Sequence, residues 1–238
     1  MSIIKILIIV TNINVYASGK IPTGLWLSEL THIYDAAKAK GYDITIASPN
    51  GGDIPIDPAS LKTFTLDKLS RKYWKDSTFK ELLRQTKSLK EIESERFDVV
   101  YLAGGHGTMY DFPNDTTLQK IISRQYQNGK MVAAICHGVG GLLNVKLSDG
   151  NNLIKGKKLT GYNWFEESLA RRKKEVPFNL EAALKSGGSN YKKAFIPMTS
   201  KIVVDGNLIT GQNPFSSKKM AKVVIHQIKK RQFLNNTK

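Results

Sequence analysis

The sequence predicts an α/β protein, a three-layer sandwich in which helices cover both faces of a mostly parallel central sheet. Short apolar, β-branched runs recur at residues 3–10, 43–48, 97–102 and 131–135. Helical patterns lie between them, and Gly, Pro and Asn turns join the two kinds of segment, the signature of βαβ units.

The first run, Ile3-Ile4-Lys5-Ile6-Leu7-Ile8-Ile9-Val10, reads as a buried central strand. Its uninterrupted part, Ile6 to Val10, falls short of the about 7–15 residues of an export signal's apolar region. Residues 24–40 place Leu25, Leu27, Leu30, Ile33, Tyr34 and Ala37 near a 3.6-residue period, and Gly41 stands where a left-handed cap ends such a helix. Residues 115–128 repeat this before Gly129. The segment 49–96 interrupts the rhythm with Pro49, Pro55 and Pro58, then a charged helical stretch with Trp74 and Phe79, and reads as an insertion. Beyond residue 150 the pattern predicts a strand near Lys158–Thr160, a polar-aromatic segment to Phe178 and a helix near Asn179–Ser186. A hairpin around Asp205-Gly206-Asn207 and a last helix from about Ser216 to Phe233 follow. With no internal repeat and no low-complexity linker, residues 1–238 are expected to form one domain.

Composition narrows the class. Hydrophobic residues make up 41% of the 238 and aromatics 9%, enough for a core and too much for a disordered chain. No uninterrupted apolar run approaches the about 20 residues of a membrane span. A single cysteine excludes an internal disulfide framework and any multi-cysteine metal site, which points to a reducing compartment, and the first run, read as a strand rather than an export signal, makes the cytoplasm the expected location. Charge is uneven: residues 1–119 carry 14 Lys+Arg and 14 Asp+Glu, whereas residues 120–238 carry 22 and 6, so the net +16 belongs to the second half. Arg171-Arg172-Lys173-Lys174 and the basic tail could attract polyanions, but no nucleic-acid module accompanies them. A solvated surface, with neither nucleic acid nor membrane as partner, is the expected reading.

Chemistry concentrates at Ala134-Ile135-Cys136-His137-Gly138, where an apolar strand meets a Gly-rich helix start. This is a nucleophile elbow in outline: a strained strand-to-helix turn presents the nucleophile, and small residues two before and two after let chains approach. A helix N-terminus behind Cys136 would favour the thiolate. A lone cysteine after Met-Val-Ala-Ala-Ile also reads as a small core hydrophobe; the adjoining His and glycines tip the balance. Leu102-Ala103-Gly104-Gly105-His106-Gly107 follows another buried strand, where free backbone N–H groups build an oxyanion hole or glycines simply make a tight connection. Glu29 neighbours Leu25, Leu30 and Ile33; periodicity alone favours a surface glutamate flanking the stripe, whereas a buried one would have a raised pKa and exchange protons.

Taken together, Gly24-Leu25-Trp26 with Glu29, then Ala103–Gly107 with Tyr110-Asp111-Phe112-Pro113, then Ala134–Gly138, and finally Val203–Pro214 closely resemble the DJ-1/PfpI superfamily, in its Hsp31-like branch. The resemblance runs from the first strand to the last helix. It implies a flavodoxin-like, class I glutamine amidotransferase-like fold and a Cys-His-acid triad with a separate glutamate beside the cysteine. Cys136 would be the nucleophile, His137 its partner and Glu29 the pocket carboxyl. Glu167 stands at the triad acid's position in Thr160–Glu167, with Glu166 the neighbouring fallback. Gly104, Gly105 and His106 would form the oxyanion and substrate site, with the N–H groups of Gly105 and His137 lining it.

The resemblance also implies a glutathione-independent glyoxalase, a lyase of the D-lactate dehydratase type that converts methylglyoxal and related 2-oxoaldehydes to 2-hydroxy acids without cofactor or metal. His106, His137, His32 and His226 show no zinc-ligand spacing, and His106 reads equally as a structural turn residue. A stress chaperone or protein deglycase acting on unfolded or glycated proteins is the alternative, a cysteine peptidase or amidase a more remote one, and a homodimer the implied assembly. Val139 replaces a proline found in many relatives, and Trp164-Phe165 with Arg171–Lys174 form a bulkier, more basic segment whose charge would favour an anionic or larger carbonyl substrate.

Overall fold

β1, Lys5–Ile9, lies near the middle of the sheet with Ile6 to Ile9 fully buried, which explains why its run is continuously apolar rather than alternating. The computed structural model describes residues 3–236. The strands are β1, β2 Asp43–Ser48, β3 Asn50–Gly52, β4 Thr86–Ser88, β5 Val99–Leu102, β6 Met131–Ile135, β7 Lys158–Leu159, β8 Asn190–Tyr191, β9 Ile202–Asp205 and β10 Leu208–Gly211. The helices are α1 Leu27–Lys38, α2 Lys68–Lys75, α3 Ser77–Arg84, α4 Thr108–Asp111, α5 Thr116–Gln127, α6 Trp164–Leu169, α7 Leu180–Ser186 and α8 Ser217–Asn236.

Eight strands form one sheet in the order β3-β4-β2-β1-β5-β6-β10-β9, and β7 pairs with β8 separately. All the central pairings are parallel; only the outermost pairs, β3 with β4 and β9 with β10, are antiparallel. Helices flank the sheet, giving the mostly parallel α/β architecture that the sequence predicts. α1 packs against α8 and α2, while α5 packs against β6.

Local chemistry sets the boundaries. Asp67, Asp76, Asp115, Asn163 and Asn179 each cap a helix by accepting a backbone N–H with the side chain. Gly41 and Gly129 end their turns at φ +65° and +72°, which glycine adopts without strain. Two differences from the sequence reading stand out. The charged stretch in 49–96 is two helices, α2 and α3, separated at Asp76, and its short strands β3 and β4 extend the sheet edge. The polar-aromatic segment contains a helix, α6, which proves to matter for the site.

The parallel register brings the carboxyl ends of β5 and β6 side by side, with Leu102 opposite Ala134. The chain leaves these ends through Ala103–Gly107 and Cys136–Gly138, the position at which open α/β sheets place ligands.

Candidate active site

Cys136 opens a 3-10 helix, Cys136–Leu142, directly after β6 and holds φ at +57°. A non-glycine residue there costs about 1–3 kcal/mol and persists only where its surroundings enforce it. Those surroundings are tight: a Cβ on Gly138 would come within 2.8 Å of Leu102 O, and one on Gly104 within 2.7 Å of both Ile135 O and Glu29 Oε2. Glycine at these positions lets the β5 and β6 loops touch, which fixes the elbow.

His137 Nδ1 lies 3.3 Å from Cys136 Sγ, and His137 Nε2 lies 2.8 Å from Glu167 Oε2. The second oxygen, Oε1, lies 2.9 Å from His106 Nε2. All four side chains are buried. Burial alone would raise the Glu167 carboxyl, yet the charge and hydrogen bonds of His137 and His106 pull it well below the usual range, so it is ionised. An ionised carboxylate only accepts, so both imidazoles present Nε2–H to it and His137 Nδ1 is free to accept from the thiol. Burial, then the neighbouring His106, lowers His137 to about 4 against the opposing pull of Glu167.

Glu29 is fully buried in the first turn of α1, which corrects the surface position that periodicity favours. The Gly104 N–H donates to its Oε2 at 2.8 Å. Burial raises its pKa to about 8, against the lowering effect of the Cys136 thiol and the Gly104 N–H, and Oε1 has no partner of ordinary hydrogen-bond geometry. Near neutral pH Glu29 therefore keeps its proton.

Cys136 differs from the expected thiolate. Burial and the Glu29 carboxyl beside it push the thiol well above its ordinary value, and the His137 N–H only partly offsets this. The turn behind it is a 3-10 helix, with a weaker dipole than a long α-helix supplies, and the thiol itself is buried. In the resting site the proton belongs on sulfur.

The structure brings together Cys136, His137, Glu167, Glu29, Gly104 and His106. The Gly105 N–H has no protein acceptor among the hydrogen bonds of the described residues, and Gly105, at φ +112°, has no room for a Cβ, which would meet Gly24 O at 2.1 Å. Glu166 faces away from the imidazoles: its Oε1 accepts from Met198 N, Gln212 Nε2 and Asn213 Nδ2 at 2.7, 2.8 and 2.9 Å. Spacing along the chain suggests no metal-ligand set, yet the fold gathers nitrogen and oxygen atoms of His106, His137 and Glu167 within 4.8 Å. Because both imidazoles already donate to the carboxylate, the arrangement is a hydrogen-bonded relay.

Two aromatic residues that the sequence reading did not single out complete the walls. Tyr162 packs against His137 with centroids 4.4 Å apart and the rings tilted by 38°, and Tyr16 lies 5.5 Å from His106 with the Arg172 guanidinium 5.6 Å from the tyrosine ring centroid. Neither has a local sequence signal, since each contact joins distant segments. A cavity of about 940 Å³ lies elsewhere, between α1, α2 and α8, and is lined by Trp26, His32, Phe64, Asp67 and Phe215 among others. No described helix is long and apolar enough to cross a membrane.

An open, mostly parallel α/β sheet with a cysteine elbow at the carboxyl edge defines the class I glutamine amidotransferase-like proteins. Within that class, the family model described as "DJ-1/PfpI family" matches residues 21–227, and the chain belongs to the DJ-1/PfpI family, in its Hsp31-like branch. It is 31% identical over 231 residues to "Glyoxalase 3" of Candida albicans, covering 93% of this chain and 97% of the relative. It is 31% identical over 235 residues to "Glutathione-independent glyoxalase HSP31" of Saccharomyces cerevisiae, covering 94% and 98%. The solved structure of Rapid Encystment Protein 24 kDa from Francisella tularensis superposes with a TM-score of 0.88 at 37% identity, covering 93% of this chain and 97% of that one.

Proposed function

We propose that this chain is a glutathione-independent glyoxalase that converts methylglyoxal and related 2-oxoaldehydes into 2-hydroxy acids through a covalent bond to Cys136. The observation that carries the reading is the placement of one thiol between two proton-handling groups: His137 Nδ1 at 3.3 Å, oriented by Glu167, and the protonated, buried Glu29. The relatives named as glyoxalases support it.

The raised thiol and the weakly basic His137 dictate the order of events. A resting thiolate would be costly here, so sulfur gives its proton to His137 Nδ1 as it bonds to the aldehyde carbon. The aldehyde oxygen collects a proton and the product is a hemithioacetal. The hydrogen on that carbon then leaves as a proton and is returned to the adjacent carbon through an enediol, which leaves a 2-hydroxyacyl thioester. Water adds to the thioester, the C–S bond breaks, sulfur recovers its proton and the 2-hydroxy acid departs. One water is consumed, and oxidation of one carbon balances reduction of its neighbour. Glu29 gives its proton to the aldehyde oxygen as sulfur adds; the carboxylate so formed takes the proton from that carbon while protonated His137 donates to the neighbouring carbonyl oxygen. Glu29 then delivers its proton to the adjacent carbon and recovers one from the hydroxyl as the thioester carbonyl forms, with the Gly105 and His137 backbone N–H groups holding the developing oxyanion.

The test is lactate formation from methylglyoxal in the absence of glutathione and added metal, wild type against Cys136→Ala. Cysteine-dependent lactate is the expected result. No lactate from folded, reduced wild-type protein overturns the reading.

A second reading, a chaperone that holds unfolded or glycated chains, is favoured by one observation: Phe195 and Phe64 are 102% and 83% exposed. It predicts that Cys136→Ala still suppresses aggregation of a denatured client. A homodimeric assembly and a cytoplasmic location belong to the same family-based proposal.

A further inference from the structure

Glu167 is shared. Its two oxygens are each engaged by a different imidazole, Oε2 by His137 at 2.8 Å and Oε1 by His106 at 2.9 Å, and the two rings lie 4.1 Å apart between centroids. His106 comes from the turn after β5, whereas Glu167 comes from α6, so the contact joins segments 61 residues apart. The other nitrogen of His106, Nδ1, is buried without a hydrogen-bond partner. The polar function of this ring is therefore directed entirely at Glu167. A turn residue with no further task would leave no reason to bury an imidazole with one nitrogen unsatisfied.

We propose that His106 is a positioning residue for the Cys136 reaction: its Nε2–H locks the plane of the Glu167 carboxylate so that the other oxygen holds His137 with Nδ1 toward the thiol. This rests on the glyoxalase reading and deepens it. A carboxylate held by one imidazole alone can rotate about its terminal torsion; the second donor removes that freedom. The groups facing His106 are Tyr16, with Arg172 beyond it, Tyr162 at 6.2 Å, His137 and Glu167, drawn from three separate segments. Three of these are rings that wedge the imidazole at interplanar angles of 53°, 75° and 38°, which leaves the hydrogen bond as the contact that orients Glu167.

The test uses two variants, because deleting a buried ring can simply unfold a site. His106→Phe keeps a flat ring and removes the donor. His106→Gln places an amide N–H near the former Nε2. Both are read first by far-UV circular dichroism and thermal midpoint, then by lactate formation and by alkylation of Cys136 with iodoacetamide across pH. Because Cys136 is the protein's single cysteine, alkylation reports the thiol whatever the substrate proves to be.

For folded His106→Phe, kcat and the alkylation rate are expected to fall by about 10²-fold, the scale of a mispositioned general base. For His106→Gln both return to within a few-fold of wild type. The acid limb of alkylation moves to higher pH in both variants, since the neighbour that lowers His137 is gone. Wild-type alkylation and an unmoved limb in both folded variants overturn the proposal. So does equal slowing of Phe and Gln with an unmoved limb, the mark of a purely structural ring. Intact alkylation effects in a protein that makes no lactate would instead overturn the glyoxalase reading and leave the His106 role standing.

Discussion

The Gly104 N–H donates to Glu29 Oε2 at 2.8 Å, a bond that ties the turn after β5 to the first turn of α1 and carries a buried carboxyl to the cysteine. Neither partner can be exchanged freely. A side chain on Gly104 would strike the carboxyl, and a charged Glu29 would lie fully buried with Oε1 lacking a partner of ordinary hydrogen-bond geometry.

Glu29→Gln keeps an acceptor for Gly104 and abolishes proton exchange, so kcat should fall by about 10²–10⁴-fold. The same variant changes the pH dependence of stability. In the wild type the folded carboxyl holds its proton up to about 8, while the unfolded one releases it near 4.5. Between those values the unfolded state binds fewer protons, so stability declines as pH rises. Thermal midpoints should show this decline in wild type and a shallower one in Glu29→Gln.

Glu166 and Glu167 separate cleanly into two kinds of effect. Glu167→Gln should preserve folding and lower kcat by up to about 10⁴-fold, because an amide can no longer hold both imidazoles in the Nε2–H tautomer. Glu166→Ala strips the acceptor from Met198 N, Gln212 and Asn213, at a cost of about 3 kcal/mol seen in denaturant unfolding. Large kcat loss from Glu166→Ala at unchanged stability would reverse the assignment.

Gly104→Ala should destabilise by about 1–3 kcal/mol or more, because the added methyl meets backbone oxygen at 2.7 Å. Gly140→Ala is the matched control. Its nearest atoms would be side-chain carbons at 3.7 and 3.8 Å, so its unfolding midpoint should stay near wild type.

Acid stability should decline with His137. Its imidazole is neutral in the folded site down to about pH 4, whereas an unfolded histidine takes up a proton near 6.5. The unfolded state binds more protons in that window, so stability falls as pH falls through it. His137→Gln, by urea unfolding at several pH values, should show a smaller loss between the same limits.

Much of this architecture is legible in the sequence. The runs that become β1, β5 and β6 are buried strands whose apolar continuity needs no tertiary information, β2 is an alternating run buried only in its second half, and the glycines of 104–107 and 138 mark where β5 and β6 must end close together. The helix α6 has a local sequence signal in Asn163 followed three residues later by Glu166, with Asn163 Oδ1 accepting the Glu166 N–H. Glu29 is different. Its position beside an apolar stripe fits exposure or burial, and only the approach of Gly104, 75 residues away, decides between them. The resting state of Cys136 was equally hidden, because the helix-terminus argument counts the dipole and omits desolvation, which dominates in a closed site. The tie from His106 to Glu167 has no local trace at all.

The most direct test of the covalent account is a single-turnover experiment. Reduced wild-type protein is mixed with methylglyoxal, quenched in acid, and digested for peptide mass spectrometry with and without hydroxylamine. The account predicts a hydroxylamine-labile lactoyl group on the Cys136 peptide that rises and decays on the timescale of lactate release. Lactate released at the same rate by Cys136→Ala, with no acyl group on the wild-type cysteine, would contradict it.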